Sequence, residues 1–264
     1  QHGINTLDSA AAYGDSEQRL GEQASSQQFH IVTKVPTLGA DVQDIRPYFE
    51  RSLTRLKRDR LDALLFHDAD TILTHPNSEQ FCQQIREIKH QDLVKRIGIS
   101  VYHPEQIKNA LNKLSFDLVQ APVNVFDQRF VQADVIKLLS QHGLTLHARS
   151  AFLQGLLLMS KGSWPAYFKP YFHLLTRFSD VAKQYKISKL TLALAFMVHN
   201  SLNNLVPEKA QVLEKIVVGC CTAEQLAEII ASYQAAKAIE LPQHVWRQFA
   251  CTEPGLINPA RWST

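Results

Sequence analysis

The sequence predicts an α/β fold, a (β/α)8 TIM barrel, formed by residues 1–264 as a single domain. Three observations carry this. Short apolar runs alternate with longer amphipathic ones along the whole chain, the pattern of repeated βα units around a parallel sheet. The length of 264 residues is enough for one barrel, since such domains commonly run to about 250 residues. An acid, a tyrosine, a lysine and a histidine fall at or just beyond the carboxyl ends of three successive apolar runs. In a parallel barrel those ends share one face, where active sites lie.

Taken in order, the apolar runs predict strands at 4–8, 29–34, 61–67, 95–100, 117–121, 144–149 and 214–218. Helices are expected near 16–26, 41–57, 76–91, 104–113, 131–142, 168–185, 188–199 and 222–237. Ser16 is expected to cap the first helix alone, because Arg19 stands where a capping-box acid would sit. Asp41 and Ser188 read as further N-caps and Gly143 as a helix stop. Residues 155–170, with Gly162, Pro165 and Pro170, read as a longer excursion on the site's rim. The tail from Leu241 either covers part of a substrate pocket or closes the barrel's underside.

The bulk properties exclude several classes. A formal charge of +3 gives no reason to expect a nucleic-acid or membrane-surface partner. The densest basic run, Arg51, Arg55, Lys57, Arg58 and Arg60, lies at a predicted helix end, where cations suit the dipole. The four cysteines, Cys82, Cys220, Cys221 and Cys251, have neither metal-ligand spacing nor the density of a secreted scaffold. No metal is therefore expected. The setting expected is reducing and cytoplasmic, with no signal peptide or membrane-spanning run.

The residues at the strand ends resemble the aldo-keto reductase family. Its motif Asp-Thr-Ala-x-x-Tyr-Gly-x-Ser-Glu-x-x-Leu-Gly matches residues 8 to 21, with Ser9 in place of Thr. The family's lysine matches Lys34, and its Leu-Asp-x-x-x-x-His matches Leu61, Asp62 and His67. The resemblance implies reduction of an aldehyde or ketone, sugar-derived carbonyls among them, to the alcohol. It implies that Tyr13 is the general acid, Lys34 its tuner, Asp8 the partner of Lys34, and His67 the group that orients the substrate oxygen. The residue chemistry agrees: a free tyrosine has a pKa of about 10, and a neighbouring ammonium lowers it. Family members usually carry one strand and helix before this point. The stretch Gln1-His2-Gly3 reads as a helix end, so the first βα unit is expected to be missing from this chain.

No side chain stores hydride, so the chemistry requires a nicotinamide cofactor, NADP or NAD. By resemblance, Ser100 and Gln120 contact the nicotinamide amide, with Asn124 a further candidate. Val101 stands where the family often has Asn. The run Arg149, Ser150, Phe152, Leu153 and Gly155 resembles the stretch that wraps the pyrophosphate, with Arg149 where many members stack a tyrosine. A guanidinium plane can also stack, and its charge would favour an anionic or hydroxyl-rich substrate. Gly219, Cys220, Thr222 and Gln225 resemble the strand-turn-helix that holds the adenosine. The positions that carry a basic residue for the 2′-phosphate in many relatives read Gly219, Cys221 and Gln225, and none is basic. NADP is the family's usual cofactor, and these residues also permit NAD. Ile229 replaces an Asn that commonly closes this motif, and Cys220 with Cys221 reads either as small turn residues or as a redox switch. The alternative to a reductase is a nucleotide-binding regulatory protein on the same barrel, as the family's potassium-channel beta subunits illustrate. The partner expected is a small-molecule carbonyl substrate.

Overall fold

The computed structural model describes residues 2–199 and 212–262. Seven strands are described: β1 (Thr6–Asp8), β2 (His30–Val35), β3 (Leu61–Phe66), β4 (Val94–Ser100), β5 (Leu118–Pro122), β6 (Thr145–Arg149) and β7 (Leu213–Ile216). They lie in the sheet in sequence order, and the pairs from β1 to β5 are parallel. Each strand falls within two residues of its predicted bounds, because a short apolar run between turn residues leaves few alternatives.

The α-helices are α1 (Ser16–Glu22), α2 (Arg46–Leu56), α3 (Asp70–Leu73), α4 (Ser78–His90), α5 (Pro104–Leu111), α6 (Ala133–Gln141), α7 (Phe172–Gln184), α8 (Lys189–His199), α9 (Ala223–Ala236), α10 (Gln243–Arg247) and α11 (Pro254–Ile257). Several helix starts correct the expectation from sequence. Residues 41–45 are not helical, and Asp41 caps nothing; α2 begins at Arg46 because Pro47, which lacks an N–H, belongs in a first turn. The first helix ends at Glu22 rather than residue 26, and Ala24–Gln28 forms a 3-10 turn in which the Ser26 hydroxyl donates to the Leu20 carbonyl. Ser16 is not the cap of α1. It is the first helical residue, after Asp15, and its hydroxyl is taken by Ser9. Pro170 holds residues 166–171 in 3-10 form, so α7 starts only at Phe172. Ser188 does cap α8, accepting from the Thr191 amide at 2.9 Å, and Gly143 has φ +64° just after α6.

By their internal contacts the residues form two compact units. The first is Gln1–Ala121 with Gln141–Leu146. Its sheet core is Val32, Ala63, Leu65 and Leu118. Phe81, Ile85 and Ile88, at helical spacing, form the buried face of α4. Gly21 lets α1 approach α2, since a Cβ there would fall 2.0 Å from the Arg55 carbonyl oxygen.

The second unit is Pro122–Ser140 with His147–Thr264. Phe126, Phe178 and Phe249 meet edge to face with centroids 5.8 to 6.3 Å apart. Phe196 of α8 packs on Trp246 of α10 in the same way. The tail is thereby sewn to the loop after β5: Gln128 Nε2 donates to the Trp246 carbonyl and the Cys251 amide to the Phe126 carbonyl. Among the described residues no helix is long and apolar enough to cross a membrane.

Candidate active site

The first unit gathers its reactive groups at the carboxyl ends of its strands. Asp8 ends β1, Lys34 lies one residue before the end of β2, His67 follows β3, Ser100 ends β4 and Gln120 is in β5. Lys34 is 1% exposed, and its ammonium donates to Asp8 Oδ2 and to the Ser9 carbonyl, both at 2.7 Å. A buried ammonium is costly unless it is paired and hydrogen-bonded, and here it is both. Tyr13 sits on the loop between β1 and α1 with half of its surface open. Lys34 Nζ lies 5.3 Å from the centre of the Tyr13 ring, and the His67 ring meets Tyr13 edge-on at 5.5 Å. The structure therefore brings Asp8, Tyr13, Lys34 and His67 together on one rim.

A fifth residue joins them in a way the sequence did not disclose. Gln120 Nε2 donates to Asp8 Oδ1 at 2.8 Å, so each Asp8 oxygen holds a different side chain. No described residue donates to Gln120 Oε1. Ser100 is 3% exposed, and its hydroxyl makes no hydrogen bond among the described residues. An amide oxygen and a hydroxyl left with hydrogen-bonding capacity at one rim suit a ligand carboxamide.

Close by, Glu17 is buried against α2. It accepts from the Thr33 hydroxyl at 2.6 Å and lies 3.7 Å from the Arg55 guanidinium. The Ser-Glu pair of the motif thus anchors α1 beside β2. In the sequence Glu17 is marked only as the acid of that Ser-Glu pair, and its burial comes from the structure.

In the second unit, the chain after β6 takes an unusual path. Ser150, Leu153 and Gln154 all have positive φ (62°, 46° and 52°), followed by Gly155 at 85°. Such non-glycine residues persist only where their surroundings over-determine them. Asn124 supplies part of that: its Nδ2 donates to the Ser150 carbonyl at 3.2 Å, and its Oδ1 accepts from the Phe126 and Asp127 amides. Asn124 is thus a brace of the loop, with both ends of its amide occupied. The amides of Ala151, Phe152 and Gln154 donate to no described residue. Successive unpaired N–H groups in a left-handed turn make an anion-binding concavity, so this segment fits a pyrophosphate. Arg149, half-buried at the end of β6, reaches the Ser150 hydroxyl at 3.4 Å.

Farther along, Thr222 caps α9, accepting from the Gln225 amide at 3.2 Å, while Gln225 Oε1 accepts from the Cys221 amide at 2.7 Å. Gln225 is therefore occupied in closing the turn. Cys220 and Cys221 are exposed free thiols and Gly219 is exposed. Phe126, Phe130 and Trp164 are buried.

The model of the aldo/keto reductase family matches residues 1–249. The chain belongs to that family. An uncharacterized oxidoreductase of Bacillus subtilis, YqkF, is 26% identical over 255 residues, covering 90% of this chain and 80% of the relative. D-arabinose 1-dehydrogenase of Saccharomyces cerevisiae is 30% identical over 113 residues, covering 38% of this chain and 33% of that enzyme. Among solved structures, the holo form of the aldo-keto reductase AKR11C1 of Bacillus halodurans superposes with a TM-score of 0.73 at 19% identity, covering 99% of this chain and 87% of that one. That likeness shows the (β/α)8 fold. Together the findings make the chain an oxidoreductase-family protein on the fold the sequence predicted.

Proposed function

We propose that the protein reduces an aldehyde or ketone to its alcohol with NADPH or NADH. The observation that carries the reading is the buried Lys34 ammonium, fixed by Asp8 and the Ser9 carbonyl and placed beside the ring of a half-exposed tyrosine. A buried cation next to a phenol favours the phenolate, and so makes the phenol a better acid near neutral pH. Tyr13 donates the proton that the substrate oxygen gains. Lys34 stabilises the charge left on Tyr13. Asp8 keeps Lys34 charged and oriented. His67, against the edge of Tyr13, donates to or orients the same substrate oxygen.

A nicotinamide held here would supply the hydride for the carbonyl carbon. Ser100 and Gln120 are assigned to its carboxamide. Arg149, Ser150, Phe152, Leu153 and Gly155 are assigned to the pyrophosphate stretch, and Gly219, Cys220, Thr222 and Gln225 to the adenosine. With Gln225 occupied in the turn and no basic side chain at Gly219 or Cys221, the chain accepts NAD as well as NADP. Sugar-derived carbonyls lead the substrate list, because a relative is a D-arabinose dehydrogenase. Cytoplasmic location and a small-molecule partner complete the reading.

The test is a titration with NADPH and NADH, followed by a screen of aldehydes and keto-sugars. Binding of either dinucleotide with turnover of a carbonyl is expected. A folded protein that binds neither would overturn the reading.

A further inference from the structure

The phenol of Tyr13 is half open to solvent, so packing alone does not fix it. Besides its ring contacts with Lys34 and His67, its loop holds it in place. Ser9, fully buried at the start of that loop, and Ser16, at the first residue of α1, face each other with their hydroxyl oxygens 2.9 Å apart. Between them, the Tyr13 amide donates to the Ala10 carbonyl at 2.9 Å and the Ser16 amide to the Tyr13 carbonyl at 3.1 Å. The same Ser9 gives its carbonyl to the Lys34 ammonium. One residue therefore touches the lysine through its backbone and the far end of the tyrosine loop through its side chain. The next residue, Glu17, is held to Thr33, the immediate neighbour of Lys34.

We propose that the Ser9–Ser16 hydroxyl pair is a clasp that sets the position of Tyr13 relative to Lys34, and that Ser16 is thereby a positioning residue for proton donation. The proposal rests on Tyr13 as the proton donor. Opening the clasp lets the loop between residues 9 and 16 relax while the tetrad stays chemically intact. One hydrogen bond of this kind corresponds to roughly a 3- to 10-fold effect.

The experiment is a double-mutant cycle on kcat with Ser9→Ala, Ser16→Ala and the pair, with Ser16→Thr as the conservative variant and Tyr13→Phe as the control. Melting curves confirm that each variant is folded. Ser16→Ala is expected to lower kcat about 3- to 10-fold with the cofactor dissociation constant unchanged. The double variant should be little worse than either single one, since both remove the same contact, and Ser16→Thr should recover most of the loss. An unchanged kcat, losses that simply multiply, or a Thr variant as impaired as Ala would each overturn the clasp.

A wild type without turnover, or a Tyr13→Phe variant as active as wild type, would instead remove the assignment of Tyr13. A second readout keeps the two failures apart: the titration of Tyr13 followed by NMR of tyrosine labelled at Cζ, in the protein without substrate. The clasp predicts a shifted midpoint for Tyr13 in Ser16→Ala, and an identical titration would overturn it whatever the activity.

Discussion

The first unit uses the same chemical pair, a carboxylate and a lysine, at both ends of its strands, and builds two different devices from it. At the carboxyl ends, Asp8 accepts, among the described residues, only from side chains, Lys34 and Gln120, and the lysine is buried. At the amino ends, Asp62 accepts from the Ile31 amide, His30 and Lys95, and Asp117 accepts from the Ile97 amide and Lys89. There the lysines are well exposed. The difference is what each carboxylate serves. At the amino ends it takes up backbone donors and pins neighbouring strands. At the rim it organises reactive side chains. The barrel rule, stability at one end and chemistry at the other, follows from which partner is buried.

The largest effects test the rim. Tyr13→Phe should lower kcat by about 10²–10⁴-fold, the usual worth of a positioned acid. Its stability should change by less than about 0.5 kcal/mol, because the lost hydroxyl belongs to a half-exposed side chain. Kinetics and a urea melt on the same preparation check both. Lys34→Met should abolish turnover as well, and it should also cost about 3 kcal/mol of stability. It strips the ion partner from Asp8, and breaking a buried pair is expensive. If Lys34→Met proved as stable as wild type, the rim would be no different from the amino ends.

A smaller effect tests the amino ends. Burial pushes the Asp62 carboxyl up, yet hydrogen bonds from Lys95, the Ile31 amide and His30 outweigh it and hold the pKa below its ordinary value. A carboxylate depressed in the folded state stabilises the protein at pH values above its unfolded pKa of about 4. That contribution is lost as pH falls through the lower, folded value. Asp62→Asn should therefore cost about 1–3 kcal/mol at pH 7. The gap to wild type should narrow in acid, with kcat little changed. Denaturant melts across pH 7 to 3 read this directly. A gap that widened in acid would reverse the sign of the argument.

The same contrast explains how much the sequence disclosed. The strands and the four rim residues were legible because each is local: an apolar run that ends in a reactive residue carries its own context. Ser188 was legible for the same reason. The Gln120–Asp8 bond joins residues 112 positions apart, and no local pattern marks one as the other's partner. Asp41 has the residue type of a cap, but Pro47 in the first turn sets the helix start at Arg46, five residues on. Ser16 has the residue type of a cap, but a buried serine across the loop has the stronger claim on its hydroxyl. The left-handed run at Ser150, Leu153 and Gln154 had no signal at all, because none of these residues favours that conformation and tertiary contacts impose it.

The smallest effect separates burial from pairing. Lys95 donates to Asp62 at 2.8 Å, nearly the distance of Lys34 from Asp8, but its side chain is about half exposed. If distance governed the worth of such a pair, Lys95→Ala and Lys34→Met would cost alike. If burial governs it, Lys95→Ala should cost only about 0.2–1 kcal/mol, because water replaces the ammonium and Asp62 keeps its Ile31 and His30 donors. That small cost should also fade in 1 M salt, where screening acts within about 3 Å. The cost of Lys34→Met should persist there, since ions do not reach a side chain enclosed by protein. Urea melts of the two variants at low and high salt make the comparison, and a salt-insensitive loss at Lys95 would show that the amino-end pair is as closely held as the rim.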